Sequence, residues 1–260
     1  MKILVTGATG HLGRDFVRAA AARGHALRLL SRRPAPADSP LPWVTGDLNT
    51  GAGLSAAVEG VQAVVHAASD PHNAASADVE GTHRLARAAR NVGVAHFVLV
   101  SIVGIDRIPL GYYRHKLAAE RRLADSGVPY SILRASQFHY FVDLQLRQLA
   151  RIPLLLPIPA GFRLQSIGTA DVAAELWKVV TGYPVGLLPD LAGPEPMTLT
   201  EAARTWVAVR GLRKRIVPLP VPGALAAGFR AGRNTAPDRP QGQETWRAWL
   251  EREVSHSTAA

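Results

Sequence analysis

The sequence predicts an α/β protein built on a doubly wound parallel sheet, and three observations carry that expectation. Short aliphatic and β-branched runs alternate with helical stretches through the first half of the chain. A glycine-rich turn follows the first apolar run and opens a helix. The 260 residues, 47% of them apolar and 19% charged, supply enough apolar surface for a large core and exclude a disordered or fibrous chain.

The apolar runs predict strands near Lys2 to Thr6, Ala26 to Ser31, Pro42 to Val44, Ala63 to His66, His96 to Ser101 and Tyr130 to Leu133. Helices are predicted between them near His11 to Ala22, Gly53 to Val58, Val79 to Asn91 and Tyr112 to Asp125. The third helix is apolar at Val79, Leu85, Ala86, Ala89 and Val92, close to helical spacing, and Gly93 stops it before Phe97-Val98-Leu99-Val100. After Leu133 prolines become frequent and the alternation loosens. Asp171 predicts a helix cap ahead of Val172 to Leu176, and Thr198 or Thr200 another ahead of Glu201. Arg230 to Pro240 reads as an irregular connection to a last helix around Gln243 to Glu253.

Composition narrows the chemistry. Thirty Lys+Arg against twenty Asp+Glu give a formal charge of +10, which favours anionic or phosphorylated ligands. The chain has no cysteine, so disulfides, thiolate metal sites and a cysteine nucleophile are excluded. Its histidines show no H-E-x-x-H spacing, so no metal site is predicted. The absence of a G-x-S-x-G elbow argues against a serine hydrolase. The basic run Arg210-Gly211-Leu212-Arg213-Lys214-Arg215 has no interleaved aromatics and reads as a solvated turn, so no nucleic-acid partner is expected. Met1 to Gly7 lacks the pattern of a signal peptide, and the apolar stretch Val221 to Phe229 is shorter than the roughly 20 residues of a bilayer span. A soluble, cytoplasmic protein with no membrane association is expected.

Thr6-Gly7-Ala8-Thr9-Gly10-His11-Leu12-Gly13 spaces its glycines G-x-x-G-x-x-G at the mouth of a helix. Gly7 and Gly10 permit a tight turn that brings backbone N–H groups to a pyrophosphate, and Gly13 permits close packing of helix on strand. Thr9, His11 and Leu12 complete that candidate loop. After the second strand stands Ser31-Arg32-Arg33, with no carboxylate for the ribose hydroxyls. A guanidinium pairs with a 2′-phosphate through parallel hydrogen bonds, so Arg32 and Arg33 favour NADP(H), with NAD(H) a possible second cofactor. Asp47, followed by Leu48, is placed to accept from an adenine amino group.

These motifs, with His66-Ala67-Ala68-Ser69 and Tyr112-x-x-x-Lys116, resemble the short-chain dehydrogenase/reductase superfamily, and the glycine spacing resembles its atypical, NmrA-like branch. The resemblance covers about residues 1 to 180. It implies a Rossmann fold; the loosened, proline-rich pattern after Leu133 sets a core over residues 1–135 apart from a smaller substrate-side region and tail over 136–260, expected to pack together as one compact unit. It places Ala67 and Ala68 beside the cofactor. It implies that Ser101, three residues before Gly104, positions a carbonyl, that Tyr112 donates the proton, and that Lys116 holds the nicotinamide ribose and tunes Tyr112. The four-residue spacing puts Tyr112 and Lys116 on one helix face. Tyr113 is the neighbouring alternative. The family's asparagine in N-V-x-G-T stands here as Asp78-Val79-Glu80-Gly81-Thr82. Gln137, Phe138 and His139, after the sixth strand, are the substrate-side candidates.

The expected function is NADP(H)-dependent hydride transfer between nicotinamide and a small carbonyl, quinone or similar acceptor. The alternative is a non-catalytic NAD(P)-binding redox sensor of the NmrA-like type.

Overall fold

The computed structural model describes residues 1–36 and 39–258. The chain forms two compact units. The first comprises Met1–Ser101, Gly111–Arg134 and Val172–Pro189, and the second Ile102–Leu110, Ala135–Asp171 and Asp190–Ala260. Segment 102–110 thus leaves the first half of the chain for the second unit, and 172–189 returns to the first.

In chain order the elements are β1 (Lys2–Thr6), α1 (His11–Ala21), β2 (Ala26–Ser31), β3 (Trp43–Thr45), α2 (Leu54–Val58) and β4 (Ala63–His66). A π-helical turn, Ala75–Glu80, leads into α3 (Gly81–Asn91), β5 (His96–Ile102), α4 (Gly111–Ala124) and β6 (Tyr130–Ala135). Then come α5 (His139–Leu149), β7 (Leu155–Pro159), β8 (Arg163–Leu164), α6 (Thr169–Thr181), β9 (Gly186–Leu187), β10 (Met197–Thr198), α7 (Leu199–Val209), β11 (Arg215–Leu219), α8 (Ala224–Arg230) and α9 (Trp246–Thr258).

The sheet of the first unit is parallel and seven-stranded, ordered β3-β2-β1-β4-β5-β6-β9. The order reverses beside β1, between β2 and β4, which is where open α/β sheets bind ligands at the carboxyl ends of their strands. Its strands are buried on both faces, as Ile3, Leu4, Val5, Val64, Val65, Phe97 and Val98 show, so they read as continuous apolar runs rather than alternating ones. On one face Leu85, Ala86 and Ala89 of α3 pack with Leu4, Val64, Phe97 and Leu123. Full burial of each Leu or Phe there contributes about 1.5–3 kcal/mol.

The second unit has its own core, in which Val142 and Leu146 of α5 meet Leu156, Trp206, Trp246 and Leu250. Trp246 and Trp249 stack with ring centroids 5.6 Å apart. β7 and β11 pair in parallel and β8 and β10 antiparallel, neither pairing being readable from the sequence pattern.

Three expectations are corrected. Asp171 lies inside the first turn of α6 rather than capping it, and its Oδ2 accepts the backbone N–H groups of Gln243 (2.9 Å) and Glu244 (3.1 Å). The last helix starts at Trp246, not Gln243. The helix expected from Val79 begins as the π-helical turn and becomes α-helical only at Gly81. Thr198 is the cap of α7, its hydroxyl accepting from Glu201 N–H while the Glu201 carboxylate accepts from Thr198 N–H.

Candidate functional site

The glycine loop is shaped by close backbone approach. Gly7 has φ +70°, and a Cβ there would lie 2.7 Å from the Ala67 carbonyl carbon and the Ala68 nitrogen. A Cβ on Gly13 would lie 2.1 Å from Gly7 O, so α1 can start against the loop only without a side chain at that position. Gly10 N–H donates to Gly7 O (2.9 Å), and Arg14 Nε–H donates to Thr9 O (2.8 Å). Gly10 is the N-cap of α1 and carries no side-chain cap, and no acidic residue occupies the helix's first turn. Thr9, Gly10 and His11 are exposed there while Leu12 is buried. Positive helix-end potential and an open, Cβ-free cradle fit the pyrophosphate of a dinucleotide.

Ala67 and Ala68 follow β4 directly and abut Gly7. Arg32 and Arg33 are exposed after β2, with Ser31 Oγ accepting from Arg33 N–H (3.0 Å). Asp47 Oδ1 accepts from the Asn49 backbone N–H (2.9 Å) and from Asn49 Nδ2 (3.2 Å), which closes the turn after β3. Leu48 packs on the sheet core.

Behind the loop runs a buried polar chain. Ala68 N–H donates to Thr6 Oγ1 (3.2 Å), which is 2.6 Å from His66 Nδ1, and His66 Nε2 is 3.0 Å from Thr82 Oγ1. Thr82 gives its one proton to Asp78 O, so His66 Nε2–H donates to Thr82 and Nδ1 accepts from Thr6. The ring is neutral with a fixed tautomer. Burial, with Lys116 adding to it against the opposing effect of Asp78, lowers its pKa to about 3.

Tyr112 and Lys116 lie on α4, and the structure joins them through two residues that sequence reasoning did not place in the site. Tyr112 OH bonds Ser69 Oγ, Ser69 Oγ–H donates to Asp78 Oδ1 (2.7 Å), and Asp78 Oδ1 lies 3.5 Å from Lys116 Nζ. Asp78 Oδ2 accepts from Asp70 N–H (3.1 Å), and Lys116 Nζ–H donates to Val100 O (3.1 Å). Burial lowers the Lys116 pKa, with Asp78 pulling it back up. Ser69 and Asp78 both stood in quoted motifs, but Asp78 read as a departure from a pattern. The π-helical turn that carries it, a form frequent at functional sites, has no sequence signature.

Tyr113 is buried, and burial raises its pKa to about 12. Tyr112, half-buried, lines a cleft of about 410 Å³ together with His72, Asn73, Ser76 and His115. Ser101, near the end of β5, is buried with no hydrogen-bond partner for its Oγ.

Gln137, Phe138 and His139 belong to the second unit. Gln137 Nε2–H donates to Gln145 Oε1 (3.4 Å), and Phe138 stacks on Tyr140 (5.6 Å). His139 is buried between Ser166 Oγ (2.8 Å from Nδ1) and Glu244 O (3.0 Å from Nε2) and lies against Trp246 and Trp249. Burial lowers its pKa to about 4. Both ring nitrogens are engaged, so the geometry of His139 is that of a packing residue rather than a proton donor.

The fold is that of a Rossmann-type NAD(P)-binding protein. The chain belongs to the NAD(P)H-binding family, whose profile matches residues 7–181. It is 34% identical over 248 residues to a ceramide reductase of Caulobacter vibrioides, covering 87% of this chain and 76% of that protein. It is 32% identical over 149 residues to the photosystem II assembly factor Ycf39 of Cyanophora paradoxa, covering 53% of this chain and 46% of that protein. Its fold matches that of an NADPH-dependent quinone oxidoreductase of Escherichia coli complexed with NADPH, with a TM-score of 0.79, 23% identity and coverage of 98% and 99% of the two chains. Among the described residues no helix is long and apolar enough to cross a membrane.

Proposed function

We propose that this NAD(P)-dependent oxidoreductase uses NADPH to reduce a small carbonyl, quinone or similar acceptor, with Tyr112 as the proton donor. The carrying observation is the connected set Tyr112, Ser69, Asp78 and Lys116 beside an open cleft. Gly7, Thr9, Gly10, His11, Leu12 and Gly13 would hold the pyrophosphate, Asp47 and Leu48 the adenine end, and Ala67 and Ala68 the face toward the sheet. Arg32 and Arg33, exposed and with no carboxylate beside them in sequence, would take the 2′-phosphate of NADPH. When bound, reduced nicotinamide supplies the hydride.

The chain's own residues do the rest. Tyr112 gives its proton to the acceptor oxygen, and positioned proton transfer of this kind contributes about 10²–10⁴-fold. Ser101, whose buried hydroxyl lacks a partner within the protein, supplies a hydrogen bond to the same oxygen. Lys116 has three N–H donors; Val100 O and Asp78 engage two, and the third serves the nicotinamide ribose. Every residue in this scheme lies in the first unit. Gln137, Phe138 and His139 have no step in it.

The test is fluorescence titration of the purified protein with NADPH and NADH, followed by oxidation of bound NADPH against quinones, aldehydes and ketones. NADPH binding tighter than NADH binding, with acceptor-dependent oxidation, is expected. Binding without oxidation by any acceptor contradicts the reductase and favours the sensor.

A further inference from the structure

We propose that Ser69 and Asp78 hold Tyr112 in its protonated, donating form, so that the phenol keeps its proton to higher pH than it would without them. This rests on the reductase function above, and it follows from counting protons along the chain of contacts.

Asp78 is buried beside the Lys116 ammonium and accepts only: Oδ2 takes the Asp70 N–H and Oδ1 takes the Ser69 hydroxyl proton at 2.7 Å. A serine has one proton to give. With that proton committed to Asp78, the contact between Ser69 Oγ and Tyr112 OH has Tyr112 as donor. A phenolate at Tyr112 would face a serine lone pair whose proton is turned toward a carboxylate. Hydrogen bonding to the neutral form disfavours the charged one.

The lysine does not reverse this, because Asp78 stands 3.5 Å from Nζ and balances its charge. Other titratable groups around the chain include His72 and His115, which line the Tyr112 cleft, Asp70 beside Asp78, Glu120 acting on Lys116, and His66, neutral behind it. In the forward step the Tyr112 O–H bond breaks toward the acceptor oxygen, the electron pair stays on the phenolate, and solvent returns the proton. The hydride comes from the reduced nicotinamide of the proposed function. The reverse step requires a phenolate to take up a proton, the state this order of hydrogen bonds opposes.

The experiment is an NMR pH titration of the full chain labelled with ¹³C at the tyrosine ζ carbon, with no cofactor or acceptor, and with the Tyr112 signal assigned by its loss in Tyr112→Phe. In Ser69→Ala the phenol loses the Ser69 hydroxyl as an acceptor. In Asp78→Asn, Ser69 is released to donate to the phenolate. The Tyr112 midpoint is expected to fall by at least half a pH unit in both. Ser69 is exposed, so Ser69→Ala decides the matter alone if Asp78→Asn does not fold. No fall in Ser69→Ala overturns the proposal. A fall in a protein that fails to oxidise NADPH whichever acceptor of the panel is supplied keeps the hydrogen-bond assignment and overturns the reductase.

Discussion

Asp78 Oδ1 lies 3.5 Å from Lys116 Nζ in a pair whose side chains are 1% and 5% exposed. Such a pair is shielded from solvent, and the desolvation cost of each charge is offset by the other. Removing one partner leaves the second charge buried alone. Asp78→Ala is expected to lower stability by about 3–5 kcal/mol in urea unfolding at neutral pH. Adding Lys116→Met to Asp78→Ala is expected to recover a large part of that loss. Equal loss in the single and double variants contradicts a pairing role.

Acid is expected to weaken the first unit through His66. Its folded pKa of about 3 lies below the ordinary 6.5, so below pH 6.5 the unfolded chain binds a proton that the folded chain refuses. The stability His66 confers is complete above that value and declines as pH falls toward 3, by about 1.4 kcal/mol per pH unit. His139, lowered to about 4, imposes the same sign on the second unit. Urea unfolding at pH 7, 6 and 5 checks this, and His66→Gln is expected to flatten the slope by about one proton's worth. An unchanged slope in that variant contradicts the assignment.

The cofactor preference is tested at Arg32 and Arg33. Alanine at both is expected to weaken NADPH binding by about 10- to 100-fold, the scale of a lost charge-assisted bidentate contact, while leaving NADH binding within about twofold. Isothermal titration with each nucleotide separates the two, and a parallel loss for both would mean that neither arginine reads the 2′-phosphate.

The glycine loop and the parallel sheet were legible because backbone constraints show directly in residue type: only glycine fits where a Cβ would meet Gly7 O at 2.1 Å. The Tyr112–Lys116 pair was named from the family motif, and its four-residue spacing fits one face of α4. The register to Lys116 also chose Tyr112 over Tyr113, and the burial of the Tyr113 ring is what only the structure adds. Asp78 and Ser69 were hidden because their link spans nine residues and depends on a π-helical turn. A histidine after a strand looks the same in sequence whether its nitrogens line a pocket or, as in His139, face Ser166 and Glu244. Asp171 misled, its carboxylate being engaged by amides more than seventy residues away.

The most direct test of the central claim is the single-turnover rate of NADPH oxidation by wild type and Tyr112→Phe, measured with the most reactive acceptor of the quinone and aldehyde panel. The account predicts unchanged NADPH affinity and a rate lower by about 10²–10⁴-fold in the variant. Equal rates in the two proteins would contradict it.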